Sequence, residues 1–506
     1  MWQDFILAEK TITQKTLLLV IIFATILANY IPLSKASLID WDEGVFALQS
    51  QWLASLGTQG KPFNFQTPPL YQLLIASFFY IFGTKTFILH LIALISSCIG
   101  LYLIFRLASL FLSAIHALIA VVLFATTEFF LFFARSGLSD ALFLCFFLAS
   151  ILYFFKGLKE NKDTYFIYTG LFVALAAYTK YSALPLFVSF FIIGVLEKKK
   201  FLGKWFFFSI VLPVVFFLPY VLLMLKFMGF HEISTRHFSF LALNHFKFLV
   251  FLLLFAPSVL LLSLAYLLRN INHTGKWNVY VFIIVLIFFI PLGFYYPYFR
   301  LTYPIVPLLA IPGAQFIGDF KKFRGVTTLI FILVSLTFGF QTLKYFSTVP
   351  EDTGTFVHNI AAELDAEFIY AVVPPNVLFY IDYEIAVPRG HAWDLVGKNI
   401  PSINYQRRII DPDNICLPAN GKTILVHASA LDEVKSEYIK LYEKGILISS
   451  FYFEDAPVYY KDVYNPQRNI RQLYEVYVIE NTVLEKQLAD LWLFGFDRRV
   501  TVMFRY

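Results

Sequence analysis

Three carboxylates crowd one short stretch of the chain, Ile39-Asp40-Trp41-Asp42-Glu43-Gly44-Val45-Phe46. Residues of this type at this spacing support three kinds of behaviour. Asp42 could cap a helix that starts at Phe46, with the other acids in a solvated turn. Asp40 and Asp42, one residue apart, have the spacing that holds a divalent cation bridging a phosphate. One carboxylate could instead take a proton from an acceptor hydroxyl while a second orients it. An ionised acid is costly beside hydrocarbon, so acids at the rim of a membrane bundle need a partner, a cation or a proton to move.

Other polar residues interrupt apolar runs at the same rim. Ala134-Arg135-Ser136-Gly137-Leu138-Ser139-Asp140 carries an Arg and an Asp five positions apart, which reads as an ion pair tying two helix ends or as part of a site. Lys180 and Arg300 are cations on the side where short loops otherwise carry few. They either snorkel to lipid phosphates or face inward as a site for an anionic headgroup. His231, Glu232, Arg236, His237 and His245 fit no zinc-ligand spacing and read as surface residues. The sequon Asn272-His273-Thr274 falls on the side expected to face inward.

These residues are set among apolar runs that only a membrane can absorb. The composition is 59% hydrophobic and 15% charged, and Thr16 to Ile31 and Tyr280 to Leu292 carry no charge. Hydropathy predicts about eleven spans, near 16–33, 87–105, 111–133, 140–155, 164–179, 182–196, 205–226, 248–268, 277–294, 301–318 and 326–343. The first is read as retained, since no small-residue cleavage site follows it. Lys156, Lys159 and Lys162, then Lys198, Lys199, Lys200 and Lys204, then Arg269 and Lys276, then Lys321, Lys322 and Arg324 fall in alternate loops. This positive-inside bias places the acidic loop outside and explains the net charge of +6 as an orientation signal, with no nucleic-acid partner implied.

The loop between the first two spans, residues 34–86, is long for a membrane connection. It is expected to hold a short helix over Phe46 to Leu56 and a second, interfacial or re-entrant, piece from Pro69 to Phe82. Past about Tyr345 the composition changes. Strand-length apolar runs at Ala366–Val373, Thr423–His427, Ile446–Phe453 and Leu473–Ile479 flank a helix-like Leu431–Glu443. The expected organisation is therefore a mainly α, polytopic transmembrane bundle over residues 1–344 and a soluble extracytoplasmic α/β domain over 345–506. Cys98 and Cys145 lie in expected spans and Cys416 stands alone in the second region, so no disulfide forms within it.

Asp42-Glu43 after the first span, Gln66-Thr67-Pro68-Pro69-Leu70 with the run through Phe82-Gly83, Ala134-Arg135 with Asp140, and Arg300 with Tyr303-Pro304 and Pro307 together resemble the GT-C glycosyltransferases. The likeness is to the protein O-mannosyltransferase and lipid A aminoarabinose transferase group and covers about the first two-thirds of the chain. It implies a GT-C-like membrane enzyme that moves a sugar, with inversion, from a polyprenyl-phosphate carrier to an acceptor on the outer face of the cell membrane. Residue by residue, it implies Asp42 as the catalytic acid of the first outer loop, Glu43 as its companion and Asp140 as the second acid. Arg300, with Lys180 and Arg135 in support, then meets the donor phosphate. No cofactor is required by this reading, and a divalent ion on Asp40 and Asp42 is the alternative. Gln66 and Thr67 stand where the aminoarabinose branch has an acid and a lysine, and Phe46 stands where a tyrosine is common.

A polyprenyl phosphate is a good leaving group once Arg or Lys meets its charge, so the remaining work is proton removal and exclusion of water. The expected partners are the bilayer, the lipid-linked sugar and an unidentified protein, lipid or glycan acceptor. The rival functions are a membrane transporter, which would favour ionisable groups at the midplane and repeated broken helices, and a non-catalytic lipid- or glycan-binding protein.

Overall fold

A computed structural model describes residues 16–29, 37–57, 63, 67–197, 203–228, 243–270, 275–294, 298–320, 324–344, 349–364, 368–372, 375–381, 422–428, 446–454 and 471–480. Gln66, His231, Glu232, Arg236, His237, the sequon and the expected helix Leu431–Glu443 lie outside these residues.

The chain opens with helix α1 (Thr16–Asn29). The first outer loop then holds two helices, α2 (Trp41–Ala54) and α3 (Leu70–Phe82). Helix α2 begins five residues before the expected Phe46, because Asp40 and not Asp42 is its N-cap. The Asp40 carboxylate accepts from the Asp42 amide, and Glu43 reaches back to the Asp40 amide, completing a capping box. Helix α3 starts after Pro69, as the proline pair predicts, and stops at Gly83, whose φ of +79° few other residues adopt.

The bundle continues through α4 (Phe87–Ala108), α5 (Ala114–Ala125), α6 (Glu128–Phe133), α7 (Asp140–Glu160), α8 (Asp163–Thr179), α9 (Pro185–Leu196) and α10 (Lys204–Lys226). It closes with α11 (His245–Phe255), α12 (Pro257–Arg269), α13 (Lys276–Leu292), a 3₁₀ turn (Phe299–Ile305) running into α14 (Val306–Asp319), and α15 (Arg324–Lys344). Helix is present at each of the eleven expected positions, yet two are not continuous. The 111–133 segment is divided at Thr126 and Thr127, where Thr127 caps α6. The 248–268 segment turns through 113° between α11 and α12. Pro257 lacks an amide proton and excludes helical geometry from Ala256, so the chain bends there. Among the described residues four helices are long and apolar enough to cross a membrane, or five with the bent pair taken as one.

Phenylalanine dominates the interior, with 60 in the chain. Phe299 joins three elements: its ring stacks on Phe255 at 5.0 Å and on Phe133 at 6.0 Å and meets Phe132 edge-on at 5.7 Å. Aromatic pairs of this kind add about 0.5–1.5 kcal/mol each beyond their burial. The neighbour of Arg300 is thus locked to the bend after α11 and to α6.

Beyond α15 come α16 (Val349–Glu363) and α17 (Pro375–Ile381). Strands β1 (Phe368–Val372), β2 (Lys422–Ala428), β3 (Ile446–Glu454) and β4 (Arg471–Glu480) form one sheet in the order β1-β2-β4-β3. β1 and β2 are parallel, and the other pairings are antiparallel. These strands fall on the four segments whose composition predicts them.

Candidate active site

Two ion pairs bring together residues from four parts of the chain. The Arg300 guanidinium, at the start of the 3₁₀ turn, pairs with Asp42 in the first turn of α2. Lys180, which ends α8, pairs with Asp140, which begins α7, at 2.6 Å. The pairs share one electrostatic neighbourhood, since Lys180 feels both Arg300 and Asp42. Burial lowers the Lys180 pKa most, with Asp140 opposing it and Arg300 adding to the fall. The Lys180 side chain is 19% exposed and that of Asp140 only 4%, whereas Arg300 and Asp42 are 24% and 34% exposed. The cluster is therefore open at Asp42 and Arg300 and closed at Asp140.

Asp140 uses one oxygen on Lys180. Its Oδ2 is buried and has no hydrogen-bond partner among the described residues. An acceptor atom left this way is costly unless a ligand donates to it. The Arg300 guanidinium also lies 5.3 Å from the centre of the Tyr298 ring, which leaves a planar cation against an aromatic face.

Glu43 has a different setting from its neighbour Asp42. Its side chain is fully buried and accepts from Ile39 N at 2.6 Å, from Asp40 N at 3.2 Å and from Gly137 N at 2.6 Å. Burial, with the nearby charge of Asp40, pushes the carboxyl up to about 8, while the three backbone donors pull it down. Gly137 is held from its other side by Tyr71, whose hydroxyl donates to the Gly137 carbonyl at 2.6 Å. A Cβ at 137 would come 2.9 Å from Leu89 Cβ, so the close approach requires glycine.

Arg135 does not pair with Asp140. It donates from Nε to Asn29 Oδ1 at 2.7 Å and from Nη2 to the Ala28 carbonyl at 3.1 Å, fastening this loop to the end of α1. Burial brings the Arg135 pKa down to about 10. His90 Nδ1 donates to the Arg135 carbonyl at 2.6 Å, a contact that defines its tautomer. Asp40 and Asp42 likewise have separate tasks, the cap and the ion pair. Among the described residues no three His, Cys, Asp or Glu side chains are placed to share a metal ion. Phe46, where a tyrosine was conceivable, is buried and packs edge-on against Tyr71 at 5.3 Å.

The residues that sequence reading missed are Asn29, Tyr71, His90 and Gly137, together with Asn376 and Tyr380 on α17. Tyr380 Oη accepts from Leu38 N at 2.9 Å, and Asn376 Nδ2 donates to Leu38 O at 3.2 Å. The run Arg135-Ser136-Gly137 was itself a signal, as a glycine beside a charged pair inside apolar sequence marks a close approach.

The family model for dolichyl-phosphate-mannose-protein mannosyltransferases matches residues 66–223, which include Arg135, Asp140 and Lys180. ArnT from Cupriavidus metallidurans bound to undecaprenyl phosphate superposes with a TM-score of 0.65 at 12% identity, over 90% of this chain and 97% of that one. The chain shares the fold of this ArnT. The apo form of the same ArnT gives 0.61 at 12% identity, covering 92% of this chain and 98% of the other. An oligosaccharyltransferase from Archaeoglobus fulgidus tethered with an acceptor peptide gives 0.53 at 11% identity, over 88% and 73% of the two chains. No curated protein matches the sequence. Identities this low carry the fold across and leave the chemistry to the site.

Proposed function

We propose that this chain is an inverting glycosyltransferase that moves a sugar from a polyprenyl-phosphate donor to an acceptor hydroxyl on the outer face of the membrane. The observation that carries the reading is the Arg300 to Asp42 pair at the exposed end of a four-charge cluster. The cluster is electrically balanced, so an arriving phosphate competes with Asp42 for Arg300. A guanidinium that forks onto phosphate oxygens leaves Asp42 next to the reacting centre and no longer neutralised.

The acceptor oxygen then attacks the anomeric carbon while the bond to the phosphate oxygen breaks. The electron pair leaves with the polyprenyl phosphate, and the acceptor proton goes to Asp42. Arg300, helped by Lys180, stabilises the leaving phosphate. Asp140 Oδ2, buried and without a hydrogen-bond partner among the described residues, suits a sugar or acceptor hydroxyl that reaches past Asp42 and Arg300. Glu43 and Arg135 position the site: Glu43 ties the Asp42 segment to the Asp140 loop, and Arg135 ties that loop to α1. The undecaprenyl phosphate in ArnT from Cupriavidus metallidurans supports a donor of the same class.

The broken helix at Ala256 is a feature that transporters share. The bend itself is made of Phe255, Ala256 and Pro257 and carries no ionisable group, whereas the charges gather at helix ends. Incubation of purified protein with radiolabelled polyprenyl-phosphate sugars and a membrane extract tests the reading. Label transferred to a polar product supports it, and label that only crosses the membrane of a reconstituted vesicle overturns it.

A further inference from the structure

Leu38 lies two residues before Asp40, in the extended segment that delivers the chain to α2. Its side chain is fully buried, and its backbone groups have no helix or sheet to satisfy them. Both are met by α17. Asn376 and Tyr380, four positions apart and so on one face of the helix, take the Leu38 carbonyl and amide respectively. The next two amides, of Ile39 and Asp40, go to Glu43. The amides of Leu38, Ile39, Asp40 and Asp42 are therefore each held, the first from a segment more than three hundred residues away.

Helix α17 is itself firmly seated. Val377, Leu378, Phe379 and Ile381 are buried. Against its other side lies α16, where a Cβ at Gly354 would come within 2.5 Å of Tyr380 Cβ. The glycine lets α16 press directly on the residue that holds Leu38.

We propose that Asn376 and Tyr380 are positioning residues for the transfer reaction, acting through Leu38 to set the direction in which α2 presents Asp42. The proposal rests on the reading of Asp42 as the base, and it gives the region after the last long helix a part in catalysis. A hydrogen bond on each polar group of one peptide fixes its plane, and a small tilt there is carried along α2 to the carboxylate.

The test compares full-length Tyr380→Phe and Asn376→Ala variants with the native protein in detergent, by hydrogen exchange over residues 38–46 and by transfer kinetics. Exchange in this segment should rise at least about tenfold, and turnover should fall about tenfold with the donor KM unchanged within about twofold. Val377→Ala, which removes packing and keeps both hydrogen bonds, should lower the melting temperature without changing exchange at 38–43 or turnover. Loosened exchange with native turnover overturns the positioning role, and so does native exchange in both variants. If exchange loosens but the native protein transfers no sugar from any polyprenyl-phosphate donor, the anchor stands and the proposed function fails.

Discussion

The Glu43 carboxylate and the Gly137 amide are joined by a 2.6 Å hydrogen bond between positions 94 residues apart. One end sits beside Asp42 and the other three residues before Asp140. The two acids of the site are thereby held in register through a buried bond that neither of them makes.

Asp42→Asn should lower turnover by about a hundredfold or more, since the amide cannot take the acceptor proton. Donor affinity should hold or tighten, because Arg300 loses its competitor. Single-turnover kinetics with labelled donor separate the two effects, and near-native turnover would remove Asp42 as the base.

Arg300→Lys should raise the apparent donor KM by about tenfold, as a point charge replaces a two-pronged clamp. Arg300→Ala should be worse, leaving the leaving phosphate unmatched. Unchanged donor kinetics in both variants would take Arg300 out of the site.

Breaking the Lys180 to Asp140 pair should destabilise the protein by about 3 kcal/mol, because the remaining charge stays buried. Lys180→Met combined with Asp140→Leu should recover most of that stability and none of the activity. Thermal unfolding checks the first half and a donor-transfer assay the second.

Glu43 predicts a pH dependence of stability. Its pKa is raised from 4.5 to about 8 in the folded protein, so its relative contribution is greatest below the unfolded value and is lost as pH rises through about 8. Against Glu43→Gln, native stability should fall with pH between about 5 and 8, approaching a slope of about 1.4 kcal/mol per unit. Gln also leaves a backbone donor facing its amide, a pH-independent cost of about 1–3 kcal/mol. Parallel melting curves for the two proteins from pH 5 to 9 would refute the shift.

Chelation should leave turnover unaltered. Asp40 is committed to capping α2 and Asp42 to Arg300, so a cation would have to displace both arrangements. Loss of activity in chelator with recovery on adding a divalent metal would favour the Asp40 and Asp42 ion site instead.

Much of the bundle was legible because apolar runs and proline pairs act locally: α3 begins where Pro68-Pro69 predicts, and β2 and β4 fall on their alternating apolar segments. The bend at Ala256 was missed, since a hydropathy window averages across one proline in an otherwise apolar run. The cap was misplaced as well: the sequence offers Asp42, whereas the structure uses Asp40, two residues earlier, and Asp42 pairs with Arg300. The partners of Arg135 and Asp140 were beyond local reading. Neighbouring opposite charges suggest a bond, but the helix start turned Asp140 toward Lys180 and Arg135 toward Asn29.

Among homologues, positions 43, 89 and 137 should evolve as a unit. A Cβ at 137 would come 2.9 Å from Leu89 Cβ and touch the Glu43 carboxyl at 3.7 Å, so a lineage that abandons the glycine must shrink residue 89 and keep residue 43 from growing. Correlated substitution at these three sites, none of which needs to touch substrate, would then mark sequences that keep their two acids in the same geometry, and could trace this architecture where overall identity has faded.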